Sequence, residues 1–233
     1  MTDLSKQIKE GTKKSHTMAE NTGFITCFLK GVVEKKSYVK LLSDLYHVYS
    51  IMETEFERHK DHPILSKIYY PELFRKHSLE MDMEYYLGSE WRNEITQTNS
   101  CMEYVERIRD VSNNYPEILI SHHYTRYIGD LSGGQILKGI AQNALKVDEA
   151  GMNFYIFNGI SDGKEFKNNY RIALDSLPFN QEQIDDIVEE ANYAFKLNMN
   201  VFKEIEGNLI SSIGKVLFST LTNRQRRGST ENG

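Results

Sequence analysis

The most unusual segment of the sequence is a glycine-rich run inside a helical pattern, Gly129-Asp130-Leu131-Ser132-Gly133-Gly134, which is followed by Gly139. Each glycine inside a helix costs about 1 kcal/mol relative to alanine. Three glycines near one turn cost about 3 kcal/mol, which is large against a typical stability of about 5–15 kcal/mol. Two explanations remain open: a close helix–helix crossing at Gly129 and Gly133, or a flat ligand lying against bare backbone. A phosphate loop fits less well, because no strand precedes the glycines and no Gly-Lys-Ser/Thr follows.

A second candidate site is a stripe of ionisable side chains near the N-terminus. On a helix, Lys9, Lys13, His16 and Glu20 are spaced by 4, 3 and 4 residues and therefore share one face. One interpretation is that this face is solvated surface without a further role. Alternatively, Glu20 accepts one ring N–H of His16 and orients the other ring nitrogen, which is how metal-ligating histidines are held.

A third candidate is the cationic pair Lys167 and Arg171, one helical turn apart on either side of Tyr170. The pair is either a solvated face or a comb that binds carboxylates. The adjacent residues His122 and His123 point to different faces of a helix and indicate no common site. Carboxylate-bridged di-iron bundles need Glu-x-x-His on two helices, and the sequence contains no Glu-x-x-His.

The elements that must position these residues are helices throughout. The chain has 4 prolines in 233 residues, and apolar residues recur at the i, i+3, i+4, i+7 spacing of amphipathic helices. No segment shows a convincing strand period, so one all-α domain is expected. The predicted helices run from Thr2 or Asp3 to about Glu20, from Phe24 to Gly31, from Ser37 through Phe56, from Pro71 to just before Gly88, around Tyr104 to Val111, from Pro116 to about Val147, from Asp162 through Leu177, and from Asn180 through Leu209.

Composition sets outer limits on function. With 28 basic and 33 acidic residues the net charge is −5, which argues against a protein that coats nucleic acid. The two cysteines show no metal-ligand spacing. No apolar run reaches the roughly 20 residues of a membrane span, and the first residues match neither a signal nor a transit peptide. We expect a soluble catalytic domain over residues 1–221 and a polar, disordered tail over 222–233.

Two segments closely resemble the haem oxygenase family. The run Tyr124-Thr-Arg-Tyr-Ile-Gly-Asp-Leu-Ser-Gly-Gly-Gln135 is similar to the family signature, and the segment 9–21 to the one that carries the proximal histidine. Shorter matches lie at 45–49, 70–73 and 166–171, so the resemblance spans about residues 4 to 210. It implies a single-domain, all-α, multi-helix bundle with haem between a proximal helix and a kinked, glycine-rich distal helix.

The resemblance also implies a role for individual residues. His16 resembles the axial ligand of the haem iron, and Glu20 its orienting partner. Asn198 is a polar residue on an apolar helical stripe, so it needs a buried partner. The predicted catalytic positions around distal water are Asp130, Arg126, Tyr49 and Asn198. The other predicted haem contacts are the distal positions Gly129, Ser132 and Gly133, the propionate-binding positions Lys9, Tyr124, Lys167 and Arg171, and the pocket-wall positions Phe28 and Phe195.

The activity implied is that of an enzyme with haem b as both cofactor and substrate, with O2 and with electrons from an external donor. The implied products are biliverdin, carbon monoxide and ferrous iron, and the α isomer is expected because Lys167 and Arg171 are both present. The sequence around Gly11 and Gly207 resembles the soluble enzymes of photosynthetic organisms, which use ferredoxin and feed bilin reductases. We therefore expect a cyanobacterial cytoplasm or a plastid stroma and no membrane anchor. A haem carrier or sensor on the same fold is the alternative, although Asp130 favours turnover.

Overall fold

The computed structural model describes residues 3–226, which form α-helices joined by turns and short 3₁₀ segments, without any β-strand. This confirms the all-α prediction. The helices are α1 (Leu4–Gly11), α2 (Lys13–Glu20), α3 (Gly23–Leu29), α4 (Lys35–Arg58), α5 (Lys76–Leu87), α6 (Trp91–Glu94), α7 (Asn99–Asn114), α8 (Leu119–His123), α9 (Gly129–Leu145), α10 (Gly163–Asp175), α11 (Gln181–Ile213) and α12 (Lys215–Arg226).

Helix α11 is the central element of the bundle. It packs against α1, α2, α3, α4, α7 and α8, and it buries an apolar stripe along its length. Its start was predicted correctly: Asn180 and Gln183 form a capping box, in which each side chain binds the other residue's backbone N–H. Because α11 spans the bundle, residues along it reach several different parts of the core.

The other predicted helix starts were only partly correct. Asp162 caps α10 as expected, by accepting from two backbone N–H groups of the first turn. Helix α4 begins before Ser37, because the Glu34 carboxylate caps it by accepting from the backbone N–H groups of Lys36 and Ser37. Pro71 opens a 3₁₀ turn, Pro71–Leu73, and α5 begins only at Lys76.

The first predicted helix is broken at Thr12, which separates α1 from α2. The Thr12 hydroxyl donates to the Ile8 carbonyl at 2.7 Å, a local bond that competes with helix continuation. Gly11 lies against α11, where an added Cβ would be 2.5 Å from Val188 Cγ1. Glycine is therefore required at the break for α1 to approach α11 this closely.

The helix predicted to run without interruption from Pro116 to Val147 is divided into several pieces. Pro116–Ile118 is a 3₁₀ turn, α8 follows, and residues Tyr124–Ile128 form a π turn before α9 begins. Lys146, with a left-handed φ of 55°, ends α9. A π turn inside a helix shifts the faces of its two halves relative to each other and often marks a functional site. We call α8, the π turn and α9 the distal segment.

The C-terminal helix α12 crosses the domain boundary predicted at residue 221. Phe218 and Leu221 pack against the core, and the helix ends at Arg226. Residues 222–226 of the predicted tail lie in this helix, residues 227–233 lie outside the described residues, and the disorder of the tail stays a prediction. None of the helices in the described part of the chain is long and apolar enough to cross a membrane.

Candidate functional site

The four predicted catalytic side chains meet in one buried polar group, which we call the distal quartet: Tyr49, Arg126, Asp130 and Asn198. Arg126 Nε donates to Tyr49 Oη at 3.0 Å, and its Nη1 donates to Asn198 Oδ1 at 2.7 Å. The Tyr49 hydroxyl donates to Asp130 Oδ2, and Arg126 Nη2 lies 3.4 Å from Asp130 Oδ1. Three separate elements, α4, the distal segment and α11, therefore supply one connected network. Asn198 has the buried partner that its sequence position required.

The electrostatics of the distal quartet are governed by burial. Burial raises the pKa of Asp130, while the Arg126 guanidinium and the Tyr49 hydroxyl oppose that rise. The pKa of Tyr49 lies well above its usual range, also through burial. Burial acts to lower the pKa of Arg126, but Tyr49 and Asp130 overcome it and raise the value. The result is a permanent cation that orients a carboxylate whose proton affinity is higher than in water.

Next to the distal quartet, the glycines of α9 leave a bare stretch of backbone. A Cβ added at Gly129 or Gly133 would have no neighbouring atom within 4 Å. This finding rules out the close helix crossing as the reason for these two glycines. Gly134 faces inward instead, where a Cβ would lie 3.4 Å from Tyr155. The Gly129–Gly133 face is therefore open to a ligand.

The predicted proximal residues lie on α2, with their side chains accessible. His16 and Glu20 are 55% and 58% exposed, and Nδ1 of His16 is 3.7 Å from Glu20 Oε1. That distance is too long for a hydrogen bond, so Glu20 is placed beside the ring without binding it. The ring of Phe195, on α11, meets His16 edge-on at 5.8 Å between centroids. Phe28 is buried against Phe24, where α3 packs on α9.

The predicted propionate-binding residues approach the distal segment from α10. Lys167 Nζ donates to Ser132 Oγ at 3.2 Å, which brings a cation to the open face of α9. Arg171 lies close enough to Tyr124 to oppose the burial that raises the pKa of the Tyr124 hydroxyl. Lys9 lies in the last turn of α1 and is exposed to solvent.

Sequence reasoning missed a second layer of buried polar groups behind the distal quartet. Glu53 Oε1 accepts the backbone N–H of Arg75 at 2.5 Å and lies 3.4 Å from the Tyr127 hydroxyl. The Arg75 guanidinium donates to the Ile156 carbonyl at 2.5 Å. A signal for Glu53 was available, because it follows Tyr49 by four residues on an apolar helix face. Arg75 and Tyr127 carried no such signal.

Two further groups behind the quartet went unrecognised in the sequence. Tyr104 is fully buried, and its hydroxyl has no hydrogen-bond partner among the described residues. Its pKa is raised by burial and is sensitive to the charges of Arg126, Glu190 and Asp130. His122 binds Glu190 at 3.0 Å, and Arg107 binds the same carboxylate at 2.6 Å. The two histidines do face different elements, since His123 binds Tyr170 on α10.

The residues present fit a haem group. A flat macrocycle needs a face without side chains, which Gly129 and Gly133 provide. Its iron needs an accessible imidazole, which His16 provides, and its carboxylates need cations such as Lys167. The distal quartet borders the same open face through Asp130, whose side chain is 14% exposed.

Comparison with known proteins identifies the family. The Heme oxygenase family model matches residues 2–204. Heme oxygenase 1 of Synechocystis sp. PCC 6803 is 57% identical over 231 residues, covering 99% of this chain and 96% of the relative. Heme oxygenase of Porphyra purpurea is 49% identical, covering 95% and 94%. The crystal structure of the Synechocystis heme oxygenase-1 in complex with heme superimposes with a TM-score of 0.90 at 56% identity, covering 94% of this chain and 100% of that one. The chain therefore belongs to the heme oxygenase family, and its all-helical fold and its distal quartet beside a bare glycine face agree with that assignment.

Proposed function

We propose that this enzyme cleaves haem b at the α-meso carbon and yields biliverdin IXα, carbon monoxide and ferrous iron. It uses O2 and electrons from reduced ferredoxin, and its product feeds bilin pigment synthesis through a bilin reductase. The single observation that carries this proposal is the distal quartet beside the bare face of Gly129 and Gly133. A haem carrier or sensor, the alternative on this fold, would need His16 but would have no use for a buried carboxylate held by a cation.

His16 and the glycine face define how the substrate is held. Bound haem supplies O2 activation at its iron and is itself the carbon framework that is oxidised. Nδ1 of His16 is the nitrogen near Glu20, at 3.7 Å, so Nε2 would be the nitrogen that binds the haem iron. The ligand that this chain would offer to the iron is thus an imidazole and not a thiolate. Gly129 and Gly133 would let a flat macrocycle approach the backbone of α9.

Asp130 is the group that holds and delivers protons, through distal water. Burial raises its proton affinity, and Arg126 and Tyr49 fix the orientation of both carboxylate oxygens. Asp130 would hold a proton at its carboxylate and release it through water towards the open face of α9. Asp130→Ala should therefore lower bilin formation and increase peroxidase-like oxidation of an added phenol such as guaiacol. Bilin formation at the normal rate in this variant would exclude Asp130 from the proton relay.

The cations on α10 set which meso carbon faces the distal quartet. Lys167 is half-buried and contacts Ser132 on α9, and the half-buried Arg171 lies one turn further along α10, so the pair could bind the two propionates. The reversed charges of Lys167→Glu with Arg171→Glu should produce a mixture of biliverdin isomers. A single unchanged isomer would show that other residues choose the orientation. The matched control is the exposed Lys164→Glu, which lies on the same helix and should not alter the product.

The electron donor follows from the distribution of charge. Although the net charge is −5, the basic residues Lys9, Lys13, Lys167 and Arg171 lie on α1, α2 and α10, the helices that carry the proposed iron-ligand and propionate-binding positions. An acidic carrier such as ferredoxin is attracted to such a surface. Its association rate should fall as salt is added, and a rate insensitive to salt would argue against this docking surface. Relatives from a cyanobacterium and from Porphyra purpurea support a cyanobacterial cytoplasm or a plastid stroma.

The experiment that tests the proposal is product analysis after reconstitution. The protein is loaded with haemin and supplied with ferredoxin, ferredoxin reductase and NADPH under O2. Chromatography against the four biliverdin IX isomers should show the α isomer, and carbon monoxide should be trapped in equal amount. A different isomer would refute the assigned orientation. Haem release without any bilin would support the carrier alternative instead.

A further inference from the structure

A buried pair of side chains, Tyr170 and His123, connects α10 to the distal segment. The Tyr170 hydroxyl and His123 Nδ1 are 2.7 Å apart, and both residues are fully buried. Their rings are also stacked, with 5.5 Å between centroids and an angle of 2° between planes. The two residues are thus joined both by a hydrogen bond and by ring contact.

The surroundings of His123 make Tyr170 its only polar partner among the described residues. The imidazole is packed between Phe56 and Tyr127, each with a centroid distance of 4.6 Å. Its Nε2 has no hydrogen-bond partner in the part of the chain that the structure describes. Burial lowers the pKa of His123 to about 3, so the ring stays neutral at working pH. Because the neutral ring makes only this one side-chain hydrogen bond within residues 3–226, its orientation is set mainly by the bond to Tyr170.

The two elements joined by this pair carry different parts of the proposed site. Tyr170 lies between Lys167 and Arg171 on α10. His123 is the last residue of α8, and its ring contacts Tyr127 in the π turn that leads into α9. The backbone of α10 packs mainly against α1 and the Leu65–Ile68 turn. The placement of α10 relative to the distal segment therefore depends on side-chain contacts such as this one.

We propose that Tyr170 and His123 are positioning residues that hold the cations of α10 at a defined place relative to Asp130. The inference rests on the proposed function of Lys167 and Arg171. In that proposal the cations of α10 hold one edge of the macrocycle, and Asp130 on α9 serves the meso carbon that is oxidised. The choice of meso carbon then depends on the spacing between α9 and α10. The surface contact of Lys167 with Ser132, at 3.2 Å, is exposed to water and gives a weaker constraint.

The variant Tyr170→Phe tests this proposal, because it keeps the stacked ring and removes only the hydroxyl. We expect the selectivity for one biliverdin isomer to fall by about tenfold, the size of effect that one buried hydrogen bond has on an equilibrium. We also expect faster amide hydrogen exchange across residues 167–174 in the haem-free protein, again by about tenfold. The second measurement requires neither haem nor turnover.

The matched control is Tyr86→Phe. Tyr86 is also buried, and its hydroxyl donates to the Gly151 carbonyl at 3.1 Å, in a contact that does not involve α10. Both variants lose one buried hydrogen bond, so a loss of stability does not distinguish them. The isomer ratio and the exchange of α10 should change in Tyr170→Phe and remain unchanged in Tyr86→Phe. Equal changes in both variants would show a general loss of stability and overturn the proposal.

A second comparison separates this inference from the proposed function. In a Lys167→Ala, Arg171→Ala background, Tyr170→Phe should produce no further change in isomer ratio, because the pair acts through those cations. An additional change of similar size would overturn the inference. If the wild-type protein forms no bilin, the proposed function fails, and the exchange measurement alone decides the inference. Unaltered exchange of α10 in Tyr170→Phe would then refute it.

Discussion

Arg126 lies at the centre of the distal quartet, so replacing it with methionine shows how strongly the quartet depends on one cation. Its guanidinium lies 3.0 Å from Tyr49, 2.7 Å from Asn198 and 3.4 Å from Asp130, and 8% of its side chain is exposed. Methionine has a similar length but offers no donor. Removing one partner of a buried ion pair costs about 3–5 kcal/mol. We expect the free energy of unfolding to fall by about that amount at pH values where Asp130 is ionised.

The loss in Arg126→Met should depend on pH, because Asp130 can take up a proton. Burial already raises the pKa of Asp130, and Arg126 opposes that rise. Without Arg126 the pKa rises further, so the folded state binds this proton more tightly than the unfolded state does. Stability then falls as pH rises from the unfolded to the folded pKa, by up to about 1.4 kcal/mol per pH unit. Adding Asp130→Asn to the same chain should remove this pH dependence.

The assay is urea unfolding of the haem-free protein, followed by far-ultraviolet circular dichroism at about pH 4, near the unfolded pKa of an aspartate, and at about pH 8. The control is Arg92→Met, which removes a 61% exposed guanidinium 3.3 Å from Glu80. An exposed ion pair is worth about 1 kcal/mol or less. If Arg126→Met costs no more than Arg92→Met, and the cost is the same at both pH values, then the quartet is not held by its buried cation.

Three further predictions concern other parts of the structure. Gly133→Ala should stabilise the haem-free protein by about 1 kcal/mol, since a Cβ at this position meets nothing within 4 Å. The same methyl group should weaken haem binding. Thermal melts measure the stability and haem titration the affinity, and an unchanged affinity contradicts the prediction. Burial raises the pKa of Asp82 to about 6, so the free energy of unfolding should fall by about 3 kcal/mol as pH rises from about 4 to about 6. Asp82→Asn should remove this fall, and an unchanged pH dependence in urea unfolding refutes the assignment. His16→Ala should lose the spectrum of histidine-ligated haem and recover it with added imidazole; a normal spectrum without imidazole excludes His16 as the ligand.

Local signals in the sequence predicted much of the fold. Asp162 and Asn180 were recognised as helix caps because a side-chain oxygen that accepts from the first turn is a property of nearby residues alone. The break at Thr12 and the π turn Tyr124–Ile128 were not predicted. Beside the break, Gly11 approaches Val188 of α11 closely, a contact between distant parts of the chain that no local pattern reports.

The candidate site was predictable where a residue type conflicted with its surroundings. The glycines of α9 and the amide of Asn198 were conspicuous because each costs free energy unless something compensates. Arg75 and Tyr104 were not conspicuous, since their role depends on full burial behind the quartet. The resemblance to a family supplied the grouping of Tyr49 with Asp130, which lie far apart in sequence. The geometry then showed that the two share a hydrogen bond.

The most direct test of the central claim is the absorption spectrum of the haemin-loaded protein during a single turnover. After ferredoxin, its reductase and NADPH are added under O2, the Soret band of the bound haem should disappear while bilin absorbance grows in proportion. The distal quartet and the cations of α10 predict this coupled change. A stable oxygenated haem spectrum that never gives way to bilin would contradict it and leave a haem-binding protein without turnover.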